Sequence, residues 1–371
     1  MTGSAVVTPI APRLQTDRHP VPDVARGVAI MAMLVAHAGP VMATQPAATL
    51  FLQGQLNDVA SPLFATTMGA AAAIVLAKAG SNRGAVRAVI VQNIIRGAIL
   101  VGLGLWLASW GSWIAVVLSF LGIVLAVGTP LVLLRTRLLV AVLGVVLVVG
   151  APLNEAVLAA TGPLITEGER TPASFLLEWI FLSPHYRVTN LLPWFLFGAL
   201  LFRIRFGGRT AGWVLLAIAV PAWFADPLIR SITGAEFSPT GSYLDTLHDT
   251  GLVLLVLGLI MLLDSIRHRP AETVVRAVFL PLRAIGSISL SLYVFQVAVV
   301  ALMYKNGVRF GSTDPVAWLV LVVGVPVVGI LWWRFVGRGP IEWLIGVVSG
   351  RYRPRLTRRA ASAESDGTRP V

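Results

Sequence analysis

Arg26 and His37 raise the first chemical question. They lie eleven positions apart in the apolar stretch DVARGVAIMAMLVAHAG, residues 23–39. An α-helix turns through three circles plus about 20° over that interval. Both side chains therefore share one helix face, about 16 Å apart along the axis, with Ile30 and Met33 on the stripe between them. A guanidinium is planar and permanently charged, which suits phosphate. An imidazole gives and takes protons near neutral pH. An ionisable group inside an apolar span is costly and is a functional candidate by default. Two readings of His37 stand side by side: a neutral ring hydrogen-bonded to a neighbouring helix, or a proton-transfer group. Arg26 is either a charged anchor at the cytoplasmic surface or a phosphate ligand.

Other polar residues fall at the depth of His37 or just beyond it. Asn57 and Asp58 open the second apolar run, His185 and Asn190 precede the sixth, and Asp226 ends the seventh. Asp245, His248 and Asp249, in YLDTLHDTG, open the eighth, and Tyr293 and Gln296 lie inside the ninth. Any one of these has a plain structural reading; Asp58 would serve as the cap of the second span. Together they gather acids, amides and imidazoles at one membrane depth. The opposite side offers Arg26, Arg83, Arg87 and Arg96, with Gln92 and Asn93 close by. Arginine forks suit phosphate, and arginine is equally the ordinary residue of bacterial inner loops.

The elements that position these residues follow from composition. The chain has 371 residues, 56% hydrophobic and 12% charged, whereas charged residues make up about a quarter of a soluble domain. Apolar runs recur at about the 20-residue length that crosses a bilayer as a helix. The alternating segments of a membrane β-barrel are absent. The expectation is an all-α, polytopic integral membrane bundle of ten spans, at about 24–44, 58–78, 88–107, 113–133, 138–160, 190–204, 210–229, 249–266, 284–304 and 315–336. With that count, 24 of the 29 basic residues fall on one side, including Lys78, Arg135, Arg203, Arg269 and Arg334. The positive-inside rule then places both termini in the cytoplasm. The first run lacks a small-residue cleavage site and reads as an anchor. Residues 1–20 and 351–371 read as disordered polar tails, around one transmembrane domain at 21–350. PASFLLEWIFLSPHY, 172–186, reads as an interfacial or re-entrant piece. GPIEWLIGVV, 339–348, is too short to span and reads as lying against the inner face.

There is no cysteine, which excludes disulfides, thiolate catalysis and cysteine metal sites. No metal-ligand cluster or glycine-rich phosphate loop stands out, so no metal cofactor is expected. The net charge of +12 reads as inner loops rather than nucleic-acid binding. Arginine in place of lysine, with abundant Ala, Val and Gly, points to a GC-rich bacterial genome and so to a bacterial inner membrane.

The stretch RGVAIMAMLVAHAG resembles the first span of the acyltransferase 3 family, whose motif is a basic residue, ten residues, then histidine; Arg26 and His37 fit it. SPLFATTMGAAAA, 61–73, and NLLPWFLFGALLFRI, 190–204, are similar to spans of the YeiB-like and heparan-α-glucosaminide N-acetyltransferase-like families. AIGSISLSLYVFQ, 284–296, resembles the late span of both groups, and GRGPIEWL, 337–344, the YeiB-like C-terminus. The resemblance implies an acyl-CoA donor entering from the cytoplasm and an envelope sugar, glycan or lipid acceptor on the far side. Arg26 would contact donor phosphates, with Arg83, Arg87 and Arg96 as further donor ligands. His37 would act at the acyl centre as general base or thioester-orienting group, exchanging protons with Asp58 and His248. The chain departs from the families in two places: Gln296 stands where acyltransferase 3 members often carry histidine, and residues 45–57 hold no histidine. Two rivals from other classes are a transporter or exporter of an envelope precursor and a catalytically inert partner of an envelope pathway.

Overall fold

The computed structural model describes residues 20–167, 171–205, 207–234 and 238–351. The expected disorder of the tails falls on 1–19 and 352–371, outside the described residues. Those described form helices α1 (Pro20–Ala38), α2 (Ala47–Ala79), α3 (Arg83–Ala108), α4 (Leu118–Leu131), α5 (Thr136–Glu167), α6 (Pro172–Leu177), α7 (Val188–Arg203), α8 (Gly208–Thr233), α9 (Tyr243–Asp264), α10 (Arg269–Ser287), α11 (Ser289–Lys305), α12 (Pro315–Leu319), α13 (Val325–Phe335) and α14 (Pro340–Val348). Among the described residues there is no strand, only one isolated bridge between Met42 and Thr313.

Seven segments are long and apolar enough to cross a membrane: Pro20–Val41, Ala47–Ala79, Arg83–Ala108, Thr136–Thr161, Gly208–Thr233, Tyr243–Asp264 and Pro315–Phe335. This is the framework of a multi-pass helical membrane protein. The other three expected spans fall on elements that differ from a straight span. Helix α4 starts at Leu118 rather than near 113, after a turn at Gly111, φ +72°, and a non-helical stretch; with α7 it is a shorter apolar helix. The ninth expected span is broken: α10 and α11 meet at Ile288 with a 75° bend. Helix α10 carries Arg269, Glu272 and Arg276 among apolar residues, so its sequence is amphipathic rather than evenly apolar. Residues 172–186 also do not span. Helix α6 runs into a π-helical turn at Glu178–Leu182, and Trp179 packs its ring against Phe120 at 6.3 Å.

Local signals place the helix starts. Asn82 caps α3 by accepting from Ala85 N at 3.1 Å, Ser242 caps α9 by accepting from Asp245 N at 3.2 Å, and Asp314 caps α12 by accepting from Ala317 N at 2.9 Å. Helix α2 begins after Pro46, about eleven residues before the expected start. Asp58 therefore sits three turns inside α2 and is not its cap. The carboxylate of Glu342, on α14, caps α11: its Oε1 accepts from Leu290 N at 2.7 Å and Ser291 N at 3.1 Å, and its Oε2 accepts from Ser291 Oγ. A carboxylate is favourable at a helix N-terminus, where free N–H groups carry partial positive charge.

Helix packing rests on glycines that face each other. A methyl on Gly69 would lie 1.8 Å from the Phe195 carbonyl oxygen, and one on Gly198 1.9 Å from that of Thr66, joining α2 to α7. Gly27 and Gly286 join α1 to α10 in the same way, at 2.0 Å from Leu282 O and Asp23 O. Gly97 and Gly122 join α3 to α4 at 2.5 Å from each other's carbonyl oxygens, and Gly212 and Gly258 join α8 to α9 at 3.0 Å. Small residues let backbones approach where lipid supplies no hydrophobic drive between helices. The face left over is apolar and exposed: Val145 and Val148 on α5, and Trp213, Ile218 and Phe224 on α8.

The turns expected on one side of the membrane touch one another. Ala43 N donates to Ser312 O at 3.0 Å, Gly311 N to Pro40 O at 2.7 Å, and Arg187 Nη1 to Thr240 O at 3.3 Å. At the other end Arg203 donates to Val132 O and Leu134 O, satisfying carbonyls just past the end of α4.

Gly69→Val should break the α2–α7 contact. Overpacking a tight site costs about 1–3 kcal/mol, occasionally more. Gly54→Ala, in the same helix with nothing within 4 Å, should be neutral or raise stability by up to about 1 kcal/mol. The thermal midpoint of the purified protein checks this; equal midpoints for the two variants would refute the contact's importance.

Candidate functional site

His37 lies in the last turn of α1, where backbone carbonyls lack helical partners. Its carbonyl accepts from Trp113 Nε1 at 3.1 Å, so the α3–α4 connection covers the end of α1. The side-chain amide of Gln296, from α11, meets His37 Nδ1. Gln296 is fully buried, and its Oε1 has no partner among the described residues. The amide orientation sets the chemistry. With its nitrogen donating to Nδ1, the ring proton sits on Nε2 and His37 is a hydrogen-bond donor. With the amide turned by half a circle, Oε1 accepts the Nδ1 proton and Nε2 is left with a lone pair.

One helical turn away from each member of the pair is an apolar hollow. Met33, one turn before His37, and Tyr293, one turn before Gln296, line a cavity of about 30 Å³ together with Met68, Leu100 and Leu121. The Tyr293 hydroxyl accepts from Val117 N at 3.3 Å, which ties α11 to the start of α4.

The second expected group assembles from α2, α8 and α9. Asp58 Oδ2 and His248 Nε2 are 3.7 Å apart, and Asn57 Nδ2 donates to Asp58 Oδ1 at 3.2 Å. The Trp223 ring lies 6.2 Å from the His248 ring, and its Nε1 donates to Gln55 Oε1 at 2.6 Å. Asp226 pairs with Arg230 at 3.0 Å, and Asp245 accepts from Gly241 N at 2.6 Å. His248 Nδ1 and Asp249 Oδ1 are buried and make no hydrogen bond among the described residues. His185, by contrast, is exposed. Its neighbour Arg187 donates through Nε to Ser183 O at 2.9 Å; burial draws this guanidinium below its ordinary value and the Asp245 carboxylate opposes that shift.

At the other end, Arg26 is mostly buried and lies 3.7 Å from Asp23. Arg83 and Arg87 are exposed on the first turns of α3. Arg96 donates to Asn93 Oδ1 at 3.4 Å within α3, and Asn93 donates to Thr129 Oγ1 at 3.2 Å, so Asn93 holds α3 to α4.

Several participants were missed in the sequence. Gln55, Trp113 and Trp223 gave a signal in retrospect, since an amide or indole N–H at membrane depth must find an acceptor. Asn154, inside the apolar run of α5, donates to Asn190 Oδ1 at 3.2 Å and accepts from Thr189 Oγ1 at 2.9 Å. An asparagine in such a run signals an interhelical hydrogen bond.

No curated protein and no solved structure matches the chain. A family model matches its later part, which includes His248 and Gln296 and leaves Arg26, His37 and Asp58 outside. Over residues 199–349 the chain matches the family described as Protein of unknown function (DUF418), a YeiB-like family of membrane proteins.

Proposed function

We propose that this protein is a bacterial inner-membrane acyltransferase. It moves an acyl group, acetyl among the candidates, from cytoplasmic acyl-CoA to an envelope sugar, glycan or lipid at the outer face. The observation that carries the reading is the His37–Gln296 pair beside an apolar cavity, at the far end of the helix face that begins with Arg26. An extended pantetheine arm is long enough to link phosphates at Arg26 with a thioester at His37. In this reading the ten helical segments cross the membrane with both termini in the cytoplasm, as the arginine distribution favours.

In the transfer step the acceptor's O–H or N–H gives its proton to His37 Nε2, with Gln296 Oε1 holding the Nδ1 proton. The acceptor heteroatom attacks the thioester carbonyl, the C–S bond breaks, and the coenzyme thiolate leaves and takes up the proton. Asp58 and His248 lie where a proton would exchange with the outer face. A second reading, a transporter, is favoured by the broken α10–α11 pair, because discontinuous helices mark many transporter sites. Acyl transfer to a membrane acceptor in the absence of net substrate movement separates the two.

Three outcomes follow. With cysteine placed singly in this cysteine-free chain, Thr44→Cys and Thr240→Cys should label from outside, and Ser81→Cys only after permeabilisation; external labelling at Ser81 would end the topology and the reaction with it. Arg26→Ala should weaken acyl-CoA binding about tenfold or more, because hydrogen bonds to charged groups contribute roughly 1.5–3 kcal/mol. His37→Gln, at matched membrane levels, should lower turnover by at least about 10², the smaller factor typical of a general acid–base group. Near-wild-type turnover in that variant would remove His37 from the chemistry.

A further inference from the structure

The crossing of α1 and α10 holds an arginine that the transfer step leaves unused. Gly27 and Gly286 bring the two helices backbone to backbone at Leu282 and Asp23. Arg26 adjoins Gly27 in the chain, and Arg283 adjoins Leu282. Both guanidinium groups are thus rooted one residue from the same contact. Arg283 is half-buried, and its Nε is fully buried with no hydrogen-bond partner among the described residues.

A guanidinium cannot escape such a position by losing its proton. A buried N–H without an acceptor forfeits its hydration and gains nothing in return, so it calls for an explanation. Other arginines of the chain are matched: Arg203 by backbone carbonyls, Arg230 by Asp226, and Arg276 by Glu272. The charged residues of α1 at this crossing are Arg26 and Asp23, themselves 3.7 Å apart. The N-terminal turn of α1 adds the positive end of a 19-residue helix, which favours an anion.

We propose that Arg283 and Arg26 form a phosphate-binding fork at the α1–α10 crossing, taking a phosphate or diphosphate ester. Under the acyltransferase reading, on which only the source of the phosphate rests, the ester belongs to the coenzyme. The same chemistry is present in a phospholipid headgroup. Arg283 supplies a planar two-pronged donor, which lysine does not reproduce, while Asp23 holds Arg26 in place beside it.

The test uses the full chain in lipid nanodiscs. Calorimetry measures coenzyme A and phosphate-free pantetheine, and mass spectrometry measures retained phosphatidylglycerol. Arg283→Gln should weaken coenzyme A binding about tenfold or more, the effect of losing a charge-assisted hydrogen bond. Pantetheine binding and the thermal midpoint should not change. Arg283→Lys should fall between, and it serves in place of the glutamine variant where that fails to fold. Arg276→Gln, in the exposed pair with Glu272, should match wild type. If wild type binds no coenzyme A but loses phosphatidylglycerol on Arg283→Gln, the fork stands with a lipid ligand and the acyl-CoA reading falls. If both ligands bind the arginine-283 variants as they bind wild type, or if only the thermal midpoint drops, Arg283 is structural and the fork is refuted.

Discussion

Everything in this bundle depends on helices that touch through their backbones. Four pairs, α1–α10, α2–α7, α3–α4 and α8–α9, meet where glycines face each other across the contact. In lipid, apolar side chains gain little by leaving one hydrocarbon environment for another, so close packing must supply the association. A contact closed to a methyl group also fixes axial position, since sliding either helix by one residue would drive a side chain into the partner's carbonyl. The polar residues are therefore set by notches some distance away. Gly27 and Gly286 fix the N-terminal half of α1, and the position of His37 along the axis follows from helix rise alone. Gly212 and Gly258 fix α8 against α9, which brings Trp223 to the ring of His248.

The two polar groups differ in how they are held. The His37–Gln296 pair is covered by a tryptophan from a loop, and one turn away lie a tyrosine anchored to a backbone amide and an apolar hollow. Its geometry comes from packing. The Asp58–His248 group is looser, at 3.7 Å, and leaves polar atoms of His248 and Asp249 unsatisfied. Buried groups without partners are expensive, which makes this group, like Gln296 Oε1 and Arg283 Nε, responsive to anything that brings a donor or acceptor.

Much of this arrangement was legible in the sequence. The helical class followed from apolar run length, and the meeting of Asp58 with His248 followed from two runs that place polar residues at one depth. Apolarity alone did not give the ends of helices. The start of α2 lies well before its apolar run because Pro46, and not Asp58, sets it. The break between α10 and α11 was hidden because Gly286, Ser287 and Ser289 are small residues that an apolar run tolerates; the carboxylate that caps α11 just beyond the bend comes from Glu342, some fifty residues further along. Gln296 was visible as a polar residue in a span, but its partner was not, since pairing across 259 positions depends on how the helices cross and not on any local pattern.

The cap from Glu342 has a consequence for the order in which the molecule is made. Among the described helices His37 sits in the first, Gln296 in the eleventh, and the carboxylate that secures the start of α11 in the fourteenth. A ribosome feeding this chain into a membrane delivers His37 first. Its amide partner follows only after nine more described helices, and the cap comes later still. Until α11 is in place, the C-terminal end of α1 holds an imidazole with no buried glutamine to receive it. The pair thus closes only after α11 has been made, and the carboxylate that caps α11 arrives later than the residues it brings together.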